Sequence, residues 1–124
     1  MIKTILAFDI DDTLITNVDP DREHGEVSSK EVPHDPILSM LKTFSRFKNI
    51  KILVWSGGGK SYAETIGRRL ELDPYVWRYA SKLEAPEIKA LGYPIVAIDD
   101  IQDCNLGDIN LTGRSLVYVI VRNK

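Results

Sequence analysis

The sequence predicts an α/β fold, a three-layer sandwich around a central, mainly parallel sheet of about five strands. Three observations predict it. Apolar runs of strand length alternate with segments whose apolar residues recur at helical spacing, the pattern of a parallel sheet with right-handed crossovers. Three of the runs end abruptly in polar residues, at Asp9-Ile10-Asp11, Ser56-Gly57 and Asp99-Asp100. The chain has 124 residues, 44% of them hydrophobic, which suits one domain and one core. We therefore expect residues 1–124 to form a single domain.

The elements follow in order. Lys3 to Asp9 reads as the first strand, with Ile5 to Phe8 composed for full burial. After Leu14 comes a polar stretch, Thr16 to His34, containing Pro20, Gly25 and Pro33. It is long for a structureless connection, so a functional or hairpin-like loop is expected, with Val27 and Val32 on the hairpin. Asp35 caps the next helix and Pro36 suits its first position. Ile37, Leu38, Leu41, Phe44 and Phe47 make its apolar face. Ile50 to Trp55 is the second strand, closing on Ser56-Gly57-Gly58-Gly59. A helix over Ser61 to Leu72 follows, with Tyr62, Ile66 and Leu70 on one side, and Asp73-Pro74 stops it. Tyr75 to Ala80 is a third strand. Pro86 opens a short helix that ends at Gly92. Pro94 to Ile98 is the fourth strand, Ile101 to Arg114 a loop or short helix, and Leu116 to Val121 the final strand.

Net charge is -2, from 16 basic and 18 acidic residues. No basic field points to non-specific nucleic-acid binding and no polybasic segment to a membrane surface. Cys104 is the single cysteine, so no internal disulfide or Cys/His metal set is expected. No apolar run reaches spanning length and no signal peptide is evident, which makes a cytoplasmic protein the expectation.

In open parallel sheets, ligands bind outside the carboxyl ends of the strands. The three polar strand ends are therefore expected to converge on one crevice. Asp9, Asp11 and Asp12 crowd three carboxylates at the tip of a buried strand, and their mutual repulsion costs stability unless something positive compensates it. A divalent metal is the simplest candidate, and magnesium, an oxygen-seeking ion that keeps several waters, suits such a donor set.

Asp9-Ile10-Asp11-Asp12-Thr13 after an apolar strand resembles the first motif, DxDx[TV], of the haloacid dehalogenase-like (HAD) hydrolases. Ile52 to Ser56 resembles the second motif, Lys82 falls where the third motif's lysine belongs, and Val96 to Asp100 resembles the fourth. The four occur in family order along essentially the whole chain. The resemblance implies a Rossmann-like, HAD-type fold and a magnesium-dependent phosphatase. It implies Asp9 as the nucleophile that forms an aspartyl-phosphate, and Asp11 as the group that protonates the leaving oxygen and later activates water. Ser56, the N–H of Gly57, and Lys82 would hold the phosphoryl oxygens. The metal would take the Asp9 carboxylate, the Asp11 carbonyl and an acid of the fourth motif. Asp99 is favoured as that ligand, with Asp100 binding directly or through water and Asp103 behind them. Asp11, two residues beyond Asp9, is expected on the same side along a continuing strand.

Other residues have plainer readings. Asp12 suits a turn or cap, and Thr13 a hydrogen bond to the loop. Lys60 and Lys89 compete with Lys82, but Lys89 sits close to the fourth motif; Lys60 is placed to contact substrate beside Ser56. Gly59-Lys60-Ser61 looks like the end of a P-loop, which would need glycine where Val54 stands. His24 and His34 are too far apart for a helical metal pair and are expected in solvent. Trp55 and Trp77 read as core or pocket-wall aromatics.

Most members of the family carry a cap domain. Residues 16–34 leave room only for a flap-like loop, so the chain resembles capless members. An open site suits a large substrate, such as a phosphorylated nucleotide end or a phosphoprotein; a small metabolite would call for a lid from a homo-oligomer. The alternatives are a non-catalytic binding module on the same fold and a receiver-type phospho-signalling domain.

Overall fold

The computed structural model describes residues 4–17, 31–99 and 106–112. Five strands form one sheet: β1 (Thr4–Asp9), β4 (Ile50–Ser56), β5 (Arg78–Ser81), β6 (Ile95–Asp99) and β7 (Ile109–Thr112). Their order is β5-β4-β1-β6-β7, and every neighbouring pair is parallel. Counted along the chain, this is the doubly wound order 3-2-1-4-5. The chain leaves β1 to build one half of the sheet and returns beside it with β6. The carboxyl ends of β1 and β6 thus flank the point where the winding reverses, the usual crevice in such sheets.

Strand alternation makes the layers. Leu6 and Phe8 of β1 join Ile52, Val54 and Ile98 on one face. Helices α1 (Asp35–Phe44) and α2 (Lys60–Arg69) cover it with Ile37, Leu38, Leu41, Tyr62, Ala63 and Ile66. Ile5 and Ala7 point the other way, with Leu53, Trp55, Ile95 and Ala97, toward α3 (Ala85–Lys89) through Ala85 and Ile88. Trp55 is wholly buried there, as its strand position predicts. Burying each such large side chain stabilises the fold by about 1.5–3 kcal/mol.

Several boundaries differ from the sequence reading, each for a local reason. Asp35 is the first residue of α1, not its cap. His34 takes the cap position, its carbonyl accepts the Leu38 N–H, and the Asp35 carboxylate sits in the first turn, where the helix dipole favours it. Phe47 lies in the turn beyond α1 and is exposed, so the apolar face ends with Phe44. Helix α2 stops before Asp73-Pro74. Leu72 N–H bonds the Gly67 carbonyl and Glu71 N–H the Arg68 carbonyl, around a left-handed Glu71 (φ 60°). That is a Schellman ending, with Leu72 buried behind it. Asp73–Tyr75 then makes a 3-10 turn, which delays β5 to Arg78.

The fifth strand is β7, inside the stretch expected to be loop or short helix. It pairs with β6 from Val96↔Ile109 to Asp99↔Thr112, and its side chains are exposed or half-buried, so no apolar run announces it. The final strand expected at residues 116–121 lies outside the described residues.

Residues after Leu14 do form the base of a hairpin. Strands β2 (Ile15–Asn17) and β3 (Glu31–Pro33) pair antiparallel, with Thr16 opposite Val32. Val27 lies outside the described residues. Among the described residues no helix is long and apolar enough to cross a membrane.

Candidate active site

The register aligns the strand ends. Asp9 lies opposite Trp55 on β4, and Ser56 lies opposite Ser81 on β5. Phe8 pairs with Ile98, which puts Asp9 level with Asp99. The sheet therefore brings Asp9, Ser56, Asp99 and the residue after Ser81 to one edge. Asp9, Ser56 and Asp99 are all at most 2% exposed, an arrangement that needs partners for buried charge.

Lys82 is that partner. Its ammonium lies 2.8 Å from Asp9 Oδ1 and 2.7 Å from Asp99 Oδ2. Burial pulls the lysine's pKa down, but the Asp9 charge and the hydrogen bonds to Asp9 and Asp99 outweigh it and push it above the ordinary lysine range. Because the folded-state pKa is raised, the stabilisation is complete at neutral pH and fades only in strong alkali. With both carboxylates ionised the trio keeps a net negative charge, since two acids share one ammonium.

Lys82 is aimed by the turn it begins. Ser81 caps the 3-10 turn Lys82–Glu84: its hydroxyl accepts the Leu83 N–H at 3.2 Å, and Glu84 Oε2 accepts the Ser81 N–H at 2.6 Å. This is a capping box, and the Ser-x-x-Glu spacing of Ser81 and Glu84 is its sequence signature. Arg78 holds the other Glu84 oxygen at 3.1 Å. Lys60 is exposed, its nearest acid Glu64 at 4.0 Å. Lys89 is exposed on α3 and lines a hollow of about 420 Å³ with Gly92, Tyr93, Pro94 and Asp108, at the amino end of β6 and away from the site.

Asp11 is placed differently from the expectation. β1 ends at Asp9, and the Ile10 carbonyl accepts the N–H groups of Thr13, Leu14 and Ile15. That tight turn cancels the two-residue alternation, so Asp11 does not continue the strand. Its carboxylate is 8% exposed and accepts a 2.8 Å hydrogen bond from the Tyr62 hydroxyl on α2. Tyr62 reads in the sequence as one more member of a helix face; its partner is 51 residues away, beyond any local pattern.

The rest of the loop supports these two acids. Asp12 is exposed at φ 61°, a turn residue as expected. Thr13 is buried, and its hydroxyl points at Asp9 Oδ2 over 3.5 Å instead of at the loop backbone. His34 is half-buried, not in solvent: its Nδ1–H donates to the Thr13 carbonyl at 3.0 Å, and its backbone N–H to the Leu14 carbonyl at 2.8 Å. The returning arm of the hairpin is thereby tied to the acidic loop.

Beyond β4, the Ser56 hydroxyl accepts the Gly58 N–H at 2.9 Å and its carbonyl accepts the Gly59 N–H at 3.2 Å. Gly59 has φ 109°, a conformation open to glycine, and α2 begins directly after it without a side-chain cap. Gly57 and Gly58 are exposed, so the loop presents backbone beside the buried Ser56.

Asp100, Asp103 and His24 lie outside the described residues. Among the described residues no three His, Cys, Asp or Glu side chains gather as a metal cage. Compared with family models, with curated proteins and with solved structures, the chain matches none. The chemistry must accordingly be argued from the site.

Proposed function

We propose that the protein is a magnesium-dependent phosphatase of HAD type, hydrolysing a phosphate monoester through an aspartyl-phosphate on Asp9. The observation that carries this reading is the Asp9–Lys82–Asp99 cluster at the carboxyl edge of the central strands, beside Ser56. A carboxylate kept ionised by a fixed ammonium is a competent nucleophile, and the same ammonium is a fixed charge for phosphoryl oxygens.

In the first step an Asp9 oxygen bonds to phosphorus as the ester P–O bond breaks, and Asp11 gives its proton to the leaving oxygen. In the second, water attacks phosphorus, Asp11 takes the water's proton, and the Asp9–phosphorus bond breaks to release inorganic phosphate. Ser56, the Gly57 N–H and Lys82 supply donors to the phosphoryl group. The donor chemistry fits magnesium, which is bound through one or two carboxylates and keeps several waters. Asp9, the Asp11 carbonyl and Asp99, with Asp100, are the proposed ligands. Bound there, the ion supplies positive charge against the phosphoryl oxygens.

A phosphorylated macromolecule, or a small metabolite under a lid from a second copy, is the proposed substrate class, because the stretch 16–34 ahead of α1 is too short in sequence for a cap domain. The receiver alternative loses support from the strand order: receiver-like sheets run 2-1-3-4-5, and this one runs 3-2-1-4-5. The test is release of phosphate from p-nitrophenyl phosphate and from phosphorylated peptides and oligonucleotides, with and without magnesium. Metal-dependent turnover that vanishes in Asp9→Asn is the expected result. Turnover surviving in Asp9→Asn would sink the nucleophile assignment, and silence with every ester would leave the non-catalytic module.

A further inference from the structure

Tyr62 is the residue of α2 nearest the chemistry that no motif accounts for. It is buried, and its ring belongs to the core cluster with Ile37, Leu38 and Ile66. A phenylalanine would pack there equally well, so the hydroxyl needs its own reason. That reason is Asp11: the two oxygens are 2.8 Å apart in a buried setting, across elements separated by 51 residues. We infer that Tyr62 is the positioning residue for Asp11, fixing the carboxyl that the phosphatase reading makes the proton carrier.

Two features make the assignment physical. The bond is anchored: Tyr62 stands in the first turn of α2, which follows directly on the Ser56–Gly59 loop, so one rigid element sets both the phosphoryl-binding backbone and the acid. And the bond is buried: Tyr62 is 5% exposed and Asp11 8%, so water competes little for it.

The inference rests on the phosphatase reading for its catalytic meaning, and the experiment separates the two. The readout is kcat/KM across aryl and alkyl phosphates, which covers only the steps up to release of the alcohol. A good leaving group departs without a proton; an alkyl alcohol does not. In Tyr62→Phe the gap between p-nitrophenyl phosphate and an alkyl phosphate should widen by about tenfold or more, and Tyr62→Phe should add nothing in an Asp11→Asn background. A loss of equal size on both esters, or full additivity with Asp11→Asn, overturns the inference. Thermal melting of the four proteins gives a second, activity-free readout. Non-additive shifts of about 2 °C or more are expected for two groups in contact. If the wild type turns over no ester, the phosphatase reading fails, and the melting cycle alone decides whether Tyr62 holds Asp11: coupled shifts support it and additive shifts overturn it.

Discussion

Asp9 and Asp11 belong to one loop, yet Asp9 meets the Lys82 ammonium at 2.8 Å and Asp11 accepts the Tyr62 hydroxyl at 2.8 Å. The first contact crosses the sheet edge from β1 to the turn after β5; the second goes to α2 on the face covered by α1 and α2. Asp9 is held by a charged ammonium, and Asp11 accepts a bond from a neutral hydroxyl. The difference teaches that two chemically identical side chains of one loop are set apart by the contacts the fold brings to each, which is the separation the proposed mechanism requires. A nucleophile should stay ionised, and a proton carrier should not be locked in one state.

The largest expected effect comes from exchanging each acid for its amide. Asp9→Asn should cost about 10⁴-fold or more in kcat on every ester, since no covalent intermediate can form. Asp11→Asn should cost about 10²–10⁴-fold in kcat/KM on alkyl phosphates and much less on p-nitrophenyl phosphate. Steady-state kinetics on the two esters checks both. Identical profiles for the two variants would erase the proposed division of labour.

Next comes the clamp. Lys82→Met leaves Asp9 and Asp99 facing each other without the ammonium they share. Removing one partner of a buried ion pair costs about 3–5 kcal/mol; Lys82 keeps some contact with water, so we expect about 2–3 kcal/mol by urea unfolding. Activity should fall about 10²–10³-fold. Lys82→Met as stable as the wild type would mean that the clamp does not hold the two acids.

How far the site could be read in advance depends on how local each cause is. Asp9, Ser56 and Asp99 were legible because each ends an apolar run, and the winding of a parallel sheet gathers such ends. Lys82 is legible through the family resemblance alone, while the capping box that aims it, Ser81 to Glu84, is a local Ser-x-x-Glu signature. Strand alternation predicts Asp11 on the same side as Asp9, but the alternation holds only as far as Asp9, where β1 stops. Tyr62 offered no signal, since a buried hydroxyl on an apolar helix face looks like packing until its distant partner is known. β7 falls in a stretch whose sequence predicts loop or short helix, because a half-exposed strand has no apolar run to betray it.

A smaller effect probes the joint between the two regions. Gly67 of α2 faces Tyr79 of β5 so closely that a Cβ there would strike the tyrosine ring, whose hydroxyl is bonded to Asp73 at 2.7 Å. Gly67→Ala gains helix propensity but must displace that ring, for a net loss of about 1–2 kcal/mol. The strain falls on the α2–β5 contact, so it should disturb the Tyr62 and Lys82 anchors together. Chemical unfolding, with activity on both ester types, measures it. Damage confined to alkyl esters would show that the Tyr62 side moves alone.

The smallest effect sharpens the comparison on the lysine side. Ser81→Ala removes the hydroxyl that accepts the Leu83 N–H and should cost about 1 kcal/mol of stability. The other half of the box carries a pH signature. The Ser81 N–H bonded to Glu84 holds its carboxyl below the usual range, partial burial opposes this, and Arg78 assists it. A depressed folded-state pKa means stability that is present above the unfolded value of about 4.3 and lost as pH falls through the lower folded value. Wild type should therefore melt above Glu84→Gln at pH 7, and the gap should close on acidification below about pH 4. Lys82, whose pKa is shifted upward, stays charged throughout that acid window in both proteins, so it is the change in the gap, and not the loss in either protein, that reports on Glu84. A gap that persists unchanged at pH 3 would mean that the Glu84 charge does not brace the turn, and that Lys82 is aimed by its two acids alone.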